Sequence, residues 1–371
     1  MFNKHDIKRN EFMLKGKFAK KGYDWWWHSF TAIDPESGEE KPFYIEFFAC
    51  NPKLAKDEPT FGQTKDKNKP SYLMVNVGCW GSPHLQLHRF FSLKNVEIKG
   101  KAPFSIKADD CYLDENSTYG SVDVKEVDSK NHPEYMSDYG SISWNLKIEK
   151  DIAFNVGYGA SSLFRKLKAF EMFWHAEGMK SYFEGEITLN GKKYTVLKEK
   201  SYGYSDKNWG SNFTSPWVWL SSNNIIDNKT GKKLNNSVFD IGGGRPKIYF
   251  VALNRKLLSA FYIEKNEYEF NFSKFWTNTK TYFNSTETDD YIIWNVTQKN
   301  KKNIVEVEVK CKKSDMLHIN YESPDGMKRH NKLWNGGNGV GTIKIYKKKN
   351  KELIHDLSAF NIGCEYGEYD K

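Results

Sequence analysis

The sequence predicts an all-β protein made of short antiparallel strands arranged in two barrel-like units. Three observations predict it: apolar and polar residues alternate with a period of two in many short runs, turn residues separate the runs, and helical periodicity is scarce across 371 residues. Many short strands without a βαβ alternation lead to sandwiches or closed barrels, which also remove exposed sheet edges. The length is roughly twice that of a usual single domain, hence two units. An aromatic content of 16% agrees, because such side chains favour strands and large apolar cavities over helix bundles.

The elements follow in order. On a strand, Trp25-Trp26-Trp27-His28 puts Trp25 and Trp27 on one face and Trp26 and His28 on the other, so both faces are covered; core on one side and a domain interface on the other is the reading preferred over ligand contact. Period-two runs then appear at Phe43 to Phe48, Tyr72 to Val77, Ser141 to Ile148, Gly185 to Leu189, Lys193 to Leu197, Ile248 to Leu253, Tyr291 to Val296, Ile304 to Val309 and Thr342 to Tyr346. Asn190-Gly191 between two runs is a hairpin signal, and Asp227 to Gly231 reads as a longer hairpin loop. Asp57 to Lys69 reads as a surface loop, Lys347 to Lys351 as a charged turn, and Gly336-Gly337-Asn338-Gly339 as a hairpin turn. Gly242-Gly243-Gly244 lacks a following G-K-[ST] and reads as a bend or close-packing site. Only Ser161 to Phe170 suggests a short helix.

Composition narrows the function classes. Lys and Arg number 56 against 47 Asp and Glu, a net charge of +9 spread over a mixed surface, so nucleic acid is not an expected partner. Five scattered cysteines, none in a C-x-x-C pair, argue against a disulfide framework or a structural zinc site and fit a reducing compartment. His84 and His88, four apart, alternate with Leu85 and Leu87 as the polar face of a strand rather than as a metal pair. No apolar signal region follows Met1 and no run approaches the ~18 apolar residues of a membrane span, so a cytoplasmic protein without a transmembrane segment is expected. No G-x-S-x-G elbow or marked thiolate supports hydrolase or thiol chemistry.

The densest constellation lies between Phe170 and Asn224. His175 and Glu177 alternate with Trp174 and Ala176 and would share a strand face, as would Tyr202, Tyr204 and Asp206. Trp209, Trp217 and Trp219 surround them in sequence, and apolar surroundings raise a carboxyl pKa, leaving a protonated acid able to donate. The competing reading makes Asp206-Lys207-Asn208 a turn served by Gly203 and Gly210, with the aromatics as core.

Tyr204-Ser205-Asp206-Lys207-Asn208-Trp209-Gly210, followed by Phe213, Pro216, Trp217, Trp219 and the run Phe239 to Gly244, resembles the tocopherol cyclase-like family. It is similar more distantly to carotenoid hydratase and lipocalin-like Diels-Alderase proteins. Further matches are Trp25 to Trp27, Phe43 to Phe48 with Asn51-Pro52, Phe173-Trp174-His175 before Gly178, and Cys364 to Glu368, so the resemblance spans most of the chain. It implies two lipocalin-like antiparallel β-barrel domains packed together, 1–210 and 211–371, with the pocket at or near their junction.

The same resemblance implies protonation of an alkene, or assisted ring closure, in a lipophilic and often prenylated substrate, without a redox cofactor. Asp206 would be the proton donor, Tyr204 and His175 its hydrogen-bonding partners, and Trp174, Glu177, Trp209, Trp217 and Trp219 the substrate-binding wall. One departure is Asp206 itself, where tocopherol cyclases carry Glu. A carbocation needs a positioned acid, exclusion of water and aromatic faces that stabilise positive charge, which agrees with this residue set. Two function classes follow: a cofactor-free cyclase, hydratase or isomerase, and a non-catalytic carrier of a hydrophobic ligand. Transient contact with a bilayer to collect that ligand fits either.

Overall fold

The period-two runs become strands because alternate side chains find a core on one face, and in several strands on both. The structure, a computed structural model, describes residues 1–62, 68–154, 171–245, 247–248, 251–252, 255–327 and 329–367. The expected helix at Ser161 to Phe170 lies outside these residues. The chain divides into two compact units, the first holding Met1–Ala153, Met172–Phe213 and Ile319–Asn331. A contiguous division at residue 210 would have put the last of these segments elsewhere.

The first unit is a twelve-stranded antiparallel sheet. Its strands are β1 (Tyr23–Ile33), β2 (Glu40–Cys50), β3 (Tyr72–Cys79), β4 (Leu85–Phe91), β5 (Glu97–Lys99), β6 (Ser105–Ala108), β7 (Cys111–Asp114), β8 (Ser117–Val124), β9 (Gly140–Phe154), β10 (Met172–Leu189), β11 (Lys192–Val196) and β12 (Gly203–Gly210). They run in the order β4-β3-β2-β1-β11-β10-β9-β8-β7-β6-β5, with β12 paired to both β1 and β10. Arg89 on β4 donates to the Ser121 carbonyl on β8 at 3.2 Å, so the sheet curls onto itself as a barrel. The inner face is read from β9, where Ile142, Trp144, Leu146, Ile148 and Lys150 are buried while Asn145, Lys147 and Glu149 are exposed. In β2, β3 and β12, by contrast, nearly every residue is buried, so the outer face of these strands is also covered. Part of that cover is the returning segment, whose Tyr321 ring lies 5.6 Å from Trp25 and 5.8 Å from Phe48.

Asn190 and Gly191 both take positive φ, as a two-residue hairpin turn between β10 and β11 requires.

In the second unit an eleven-stranded antiparallel sheet runs through Asn266–Phe270, Lys256–Ile263, Ser237–Gly244, Trp217–Ser222, Leu353–Gly367, Arg329–Lys347, Asn303–Lys312, Tyr291–Lys299 and Lys280–Glu287, with two further strands off this path. Its core gathers Val218, Leu220, Phe239, Ile241, Phe261 and Trp294. The glycines at 336, 337 and 339 lie inside the strand Arg329–Lys347 and not in a hairpin turn, which corrects the expectation. A Cβ at Gly336 would stand 3.0 Å from the Met316 side chain and 3.1 Å from Cys311 Sγ, closer than ordinary van der Waals contact, so glycine here lets those side chains approach the backbone. Gly244 packs closer still, with a Cβ placed 1.7 Å from the Pro216 carbonyl oxygen.

Candidate functional site

The Y-x-D-K-N-W-G motif is strand β12, hydrogen-bonded along both edges. Tyr204 to Gly210 pair with Ser29 to Tyr23 of β1, and Lys207, Asn208 and Trp209 pair with His175, Trp174 and Phe173 of β10. The reading of Asp206-Lys207-Asn208 as a turn is therefore corrected: two flanking strands hold this backbone extended. Alternation then sends Tyr204, Asp206 and Asn208 to the outer face and Ser205, Lys207 and Trp209 to the inner one.

On the outer face the Trp174 indole N–H donates to Asp206 Oδ2 at 2.7 Å, and the Tyr204 hydroxyl donates to the same oxygen at 3.4 Å. All three residues are buried. Asn208 Oδ1 accepts from the Tyr23 hydroxyl at 2.8 Å. Trp27, the direct partner of Asp206 on β1, stacks on Tyr44 at 4.8 Å, and Tyr44 packs against Trp80 at 4.9 Å. A buried carboxyl thus sits beside an indole donor, a phenol and a wall of aromatic rings.

His175, expected beside Asp206, lies on the opposite face, paired to Lys207. Its ring nitrogens meet Asn10 Oδ1 at 3.2 Å and Asp6 Oδ1 at 3.3 Å, both contributed by the N-terminal segment with the short helix α1 (Lys4–Arg9). Burial lowers its pKa despite the Asp6 carboxylate, so the imidazole tends to neutrality. Glu177 is also separated from Asp206. It bonds Lys150 of β9 at 2.6 Å, and Lys150 bonds Glu115 as well. Two buried carboxyls share one ammonium, and burial pushes the Glu177 carboxyl up to about 7. Lys207 pairs with Asp24 and stands 3.6 Å over the Trp26 ring, while Trp209 stacks on Phe173 at 5.6 Å. The motif therefore builds two different environments from alternate residues: an acid among aromatics outside, and an ionic network inside.

Trp217 and Trp219 belong to the second unit and form a separate group there. Trp217 Nε1 donates to Glu365 Oε2 at 2.6 Å, Asn335 donates to the other oxygen, and Trp219 Nε1 donates to Asp240 at 3.1 Å. Gly363 makes room for the Trp219 ring, which passes 2.3 Å from where its Cβ would be. Burial pushes the Glu365 carboxyl up to about 7, the two donors opposing. An acid that stays protonated in the fold above its unfolded pKa of ~4.3 stabilises the fold most at low pH. Its contribution falls as pH rises from about 4.5 to about 7, by up to about 3 kcal/mol at ~1.36 kcal/mol per pKa unit. Denaturant midpoints measured from pH 4.5 to 8 should fall less steeply in Glu365→Gln than in the parent; equal slopes would refute the assignment.

The outer-face residues Glu46, Asn76 and His88 escaped the sequence reading as site residues, as did Glu365 in the second unit. The signal was present as single polar residues inside strongly apolar runs, Tyr44-Ile45-Glu46-Phe47-Phe48 and Leu73-Met74-Val75-Asn76-Val77, where a polar side chain is retained only if it is satisfied or used. Among the described residues no group of three or more His, Cys, Asp or Glu side chains is placed to hold a metal, and no helix is long and apolar enough to cross a membrane.

An all-β protein of two units with barrel-like sheets, one of which holds a buried carboxyl set among indoles and phenols, is the class defined by fold and geometry. The chain belongs to the tocopherol cyclase-like family, whose sequence profile matches residues 121–368. No curated protein matches it. Among solved structures it is similar to a candidate AttH protein from Nitrosomonas europaea, with TM-score 0.50 and 10% identity over 98% of this chain and 96% of that one. Kievitone hydratase from Nectria haematococca superposes with TM-score 0.47 and 10% identity over 96% of this chain and 94% of that one. Only the first likeness bears on the fold, and at this identity on the fold alone.

Proposed function

We propose that the protein is a cofactor-independent cyclase, hydratase or isomerase, cytoplasmic, that protonates a carbon–carbon double bond of a lipophilic, prenylated substrate from Asp206. The observation that carries the reading is the buried Asp206 carboxyl, held by Trp174 and Tyr204 on a face walled by aromatic rings. A protonated Asp206 transfers its proton to one alkene carbon, and positive charge develops on the other. Indole and phenol faces stabilise that charge, and exclusion of bulk water preserves the cation until a substrate hydroxyl or an admitted water attacks, its proton passing to the Asp206 carboxylate and restoring the acid. Trp174 holds Oδ2 by its N–H and so fixes the orientation of the carboxyl. Membership of the tocopherol cyclase-like family supports a cyclase- or hydratase-type role.

The test separates catalysis from carriage. Prenylated phenols and polyenes are incubated with the protein in heavy water, and products are analysed by mass spectrometry. Binding with one deuterium placed on carbon, dependent on protein, is expected. Binding seen as Trp quenching at micromolar concentration, without deuterium incorporation across the panel, would favour the carrier class. Neither binding nor incorporation would remove both.

A further inference from the structure

Three sulfur-bearing side chains of the second unit converge on one point. A Cβ at Gly336 would stand 3.1 Å from Cys311 Sγ, 3.4 Å from Cys364 Sγ and 3.0 Å from Met316 Cγ, whose thioether sulfur is one bond further. A Cβ at Gly339 would likewise stand 3.4 Å from Cys364 Sγ. All three side chains are buried, and the two thiols hydrogen-bond one another. They come from the strands Asn303–Lys312, Met316–Glu322 and Leu353–Gly367, each of which pairs with Arg329–Lys347, the strand that carries the glycines.

That strand is irregular at this place. Its pairing with Leu353–Gly367 shifts register between Gly336 and Gly339 and again between Gly339 and Gly341. Glycine inside a strand and a shift of register both weaken a sheet, and such irregularities recur beside functional sites. Apolar packing alone would be better served by larger residues on a regular strand, whereas here glycine clears the space between the sulfurs.

The spacing selects the chemistry. Cys311 and Cys364 stand on strands separated by a third, so their backbones are about 10 Å apart, twice the interstrand spacing. A disulfide spans at most ~7 Å between Cα atoms, so oxidation does not join them. A metal ion between the sulfurs does, because two metal–sulfur bonds of about 2.3 Å supply the missing length. The two sulfurs stand about 1 Å beyond such a bond from the Gly336 Cβ position, a gap that small side-chain rotations close. Thiolates and a thioether are soft ligands, and two or three of them select Cu(I) over Zn(II), which takes four ligands in structural sites. His318, exposed and two residues beyond Met316 on the same strand, projects to the same face, with its ring 3.9 Å from that of Trp334. It offers an incoming ion an imidazole at the surface, with Met316 next inward.

We propose that Cys311, Cys364 and Met316 form a Cu(I) site at Gly336. Cu(I) bonds to each cysteine sulfur as the two S–H groups release their protons to solvent, and the Met316 thioether completes a three-sulfur set. No electron is exchanged. The site is independent of the Asp206 chemistry.

The experiment presents the protein, without oxygen, with Cu(I) held by bicinchoninate and follows loss of that complex's colour. Transfer of one Cu(I) per chain is expected. Cys311→Ser and Cys364→Ser should each weaken binding at least about 100-fold, a ligand being worth no less than the partners that orient it. Met316→Leu should cost about tenfold. Cys50→Ser, which changes a buried thiol of the first unit, should leave binding as it is. No transfer to the wild-type protein overturns the site, as does undiminished binding in both folded cysteine variants. X-ray absorption of the copper-loaded wild-type protein decides the question if those variants fail to fold. Two or three sulfur neighbours alone support the site, and nitrogen or oxygen bound to the copper overturns it.

Discussion

Asp206→Asn is expected to lower turnover by about two to four orders of magnitude, the range of a positioned general acid, while ligand affinity changes little. The geometry makes the substitution clean. An Asn carbonyl oxygen can still accept the Trp174 N–H that now meets Oδ2 at 2.7 Å, so the side chain stays in place while its transferable proton is lost. Tyr204→Phe should cost less, because its 3.4 Å contact orients the carboxyl rather than supplying the proton. The measurement is the rate of carbon deuteration beside the dissociation constant of the same substrate, for each variant. A folded Asp206→Asn protein with full activity would move the acid elsewhere; on the same face the nearest carboxyl in register is Glu46. A fall in affinity equal to the fall in rate would mean that Asp206 binds substrate without acting as an acid.

Lys207→Met should destabilise the first unit by about 3–5 kcal/mol, the usual result of stripping one partner from a buried ion pair. Lys207 and Asp24 are both fully buried, and the ammonium also covers the Trp26 ring. Without the cation, Asp24 must either ionise in an apolar interior or take up a proton. Burial already brings its carboxyl up to about 6 with Lys207 present. Removing Lys207 raises it further, so the loss should be largest above pH 7 and shrink as pH falls below about 6, where the carboxyl protonates in any case. Combining the substitution with Asp24→Leu should restore much of the stability, because the penalty lies in the orphaned charge. Chemical denaturation of the two single variants and the double variant measures the coupling. Additive losses would show that the pair acts only as volume.

How far the candidate site was legible follows from which kind of neighbour each residue has. Tyr204 and Asp206 are two apart on one strand, and alternation alone puts them on one face; the structure places them there with Trp174 added across the strand pair. His175 and Glu177 also share a face as read, but it is the other one. Period-two logic fixes which residues of a strand go together and is silent on which set of the neighbouring strand they join, because a one-residue change of register exchanges the two faces. Trp217 and Trp219 follow Asp206 closely in sequence yet serve the second unit, since the chain leaves the first unit after Phe213.

By itself, then, the sequence determined the all-β class, the strand runs, the hairpin at Asn190-Gly191 and the shared face of Tyr204 and Asp206, because period and turn chemistry are local properties. Tertiary structure alone decided that Cys311, Met316 and Cys364 meet at Gly336, which draws on four strands between residues 303 and 367. It also decided the inner network, where Asp6, Asp24, Glu115, Lys150, His175, Glu177 and Lys207 come from distant parts of the chain. Neither can be read locally, because strand pairing sets which side chains meet, and burial sets the protonation state each of them keeps.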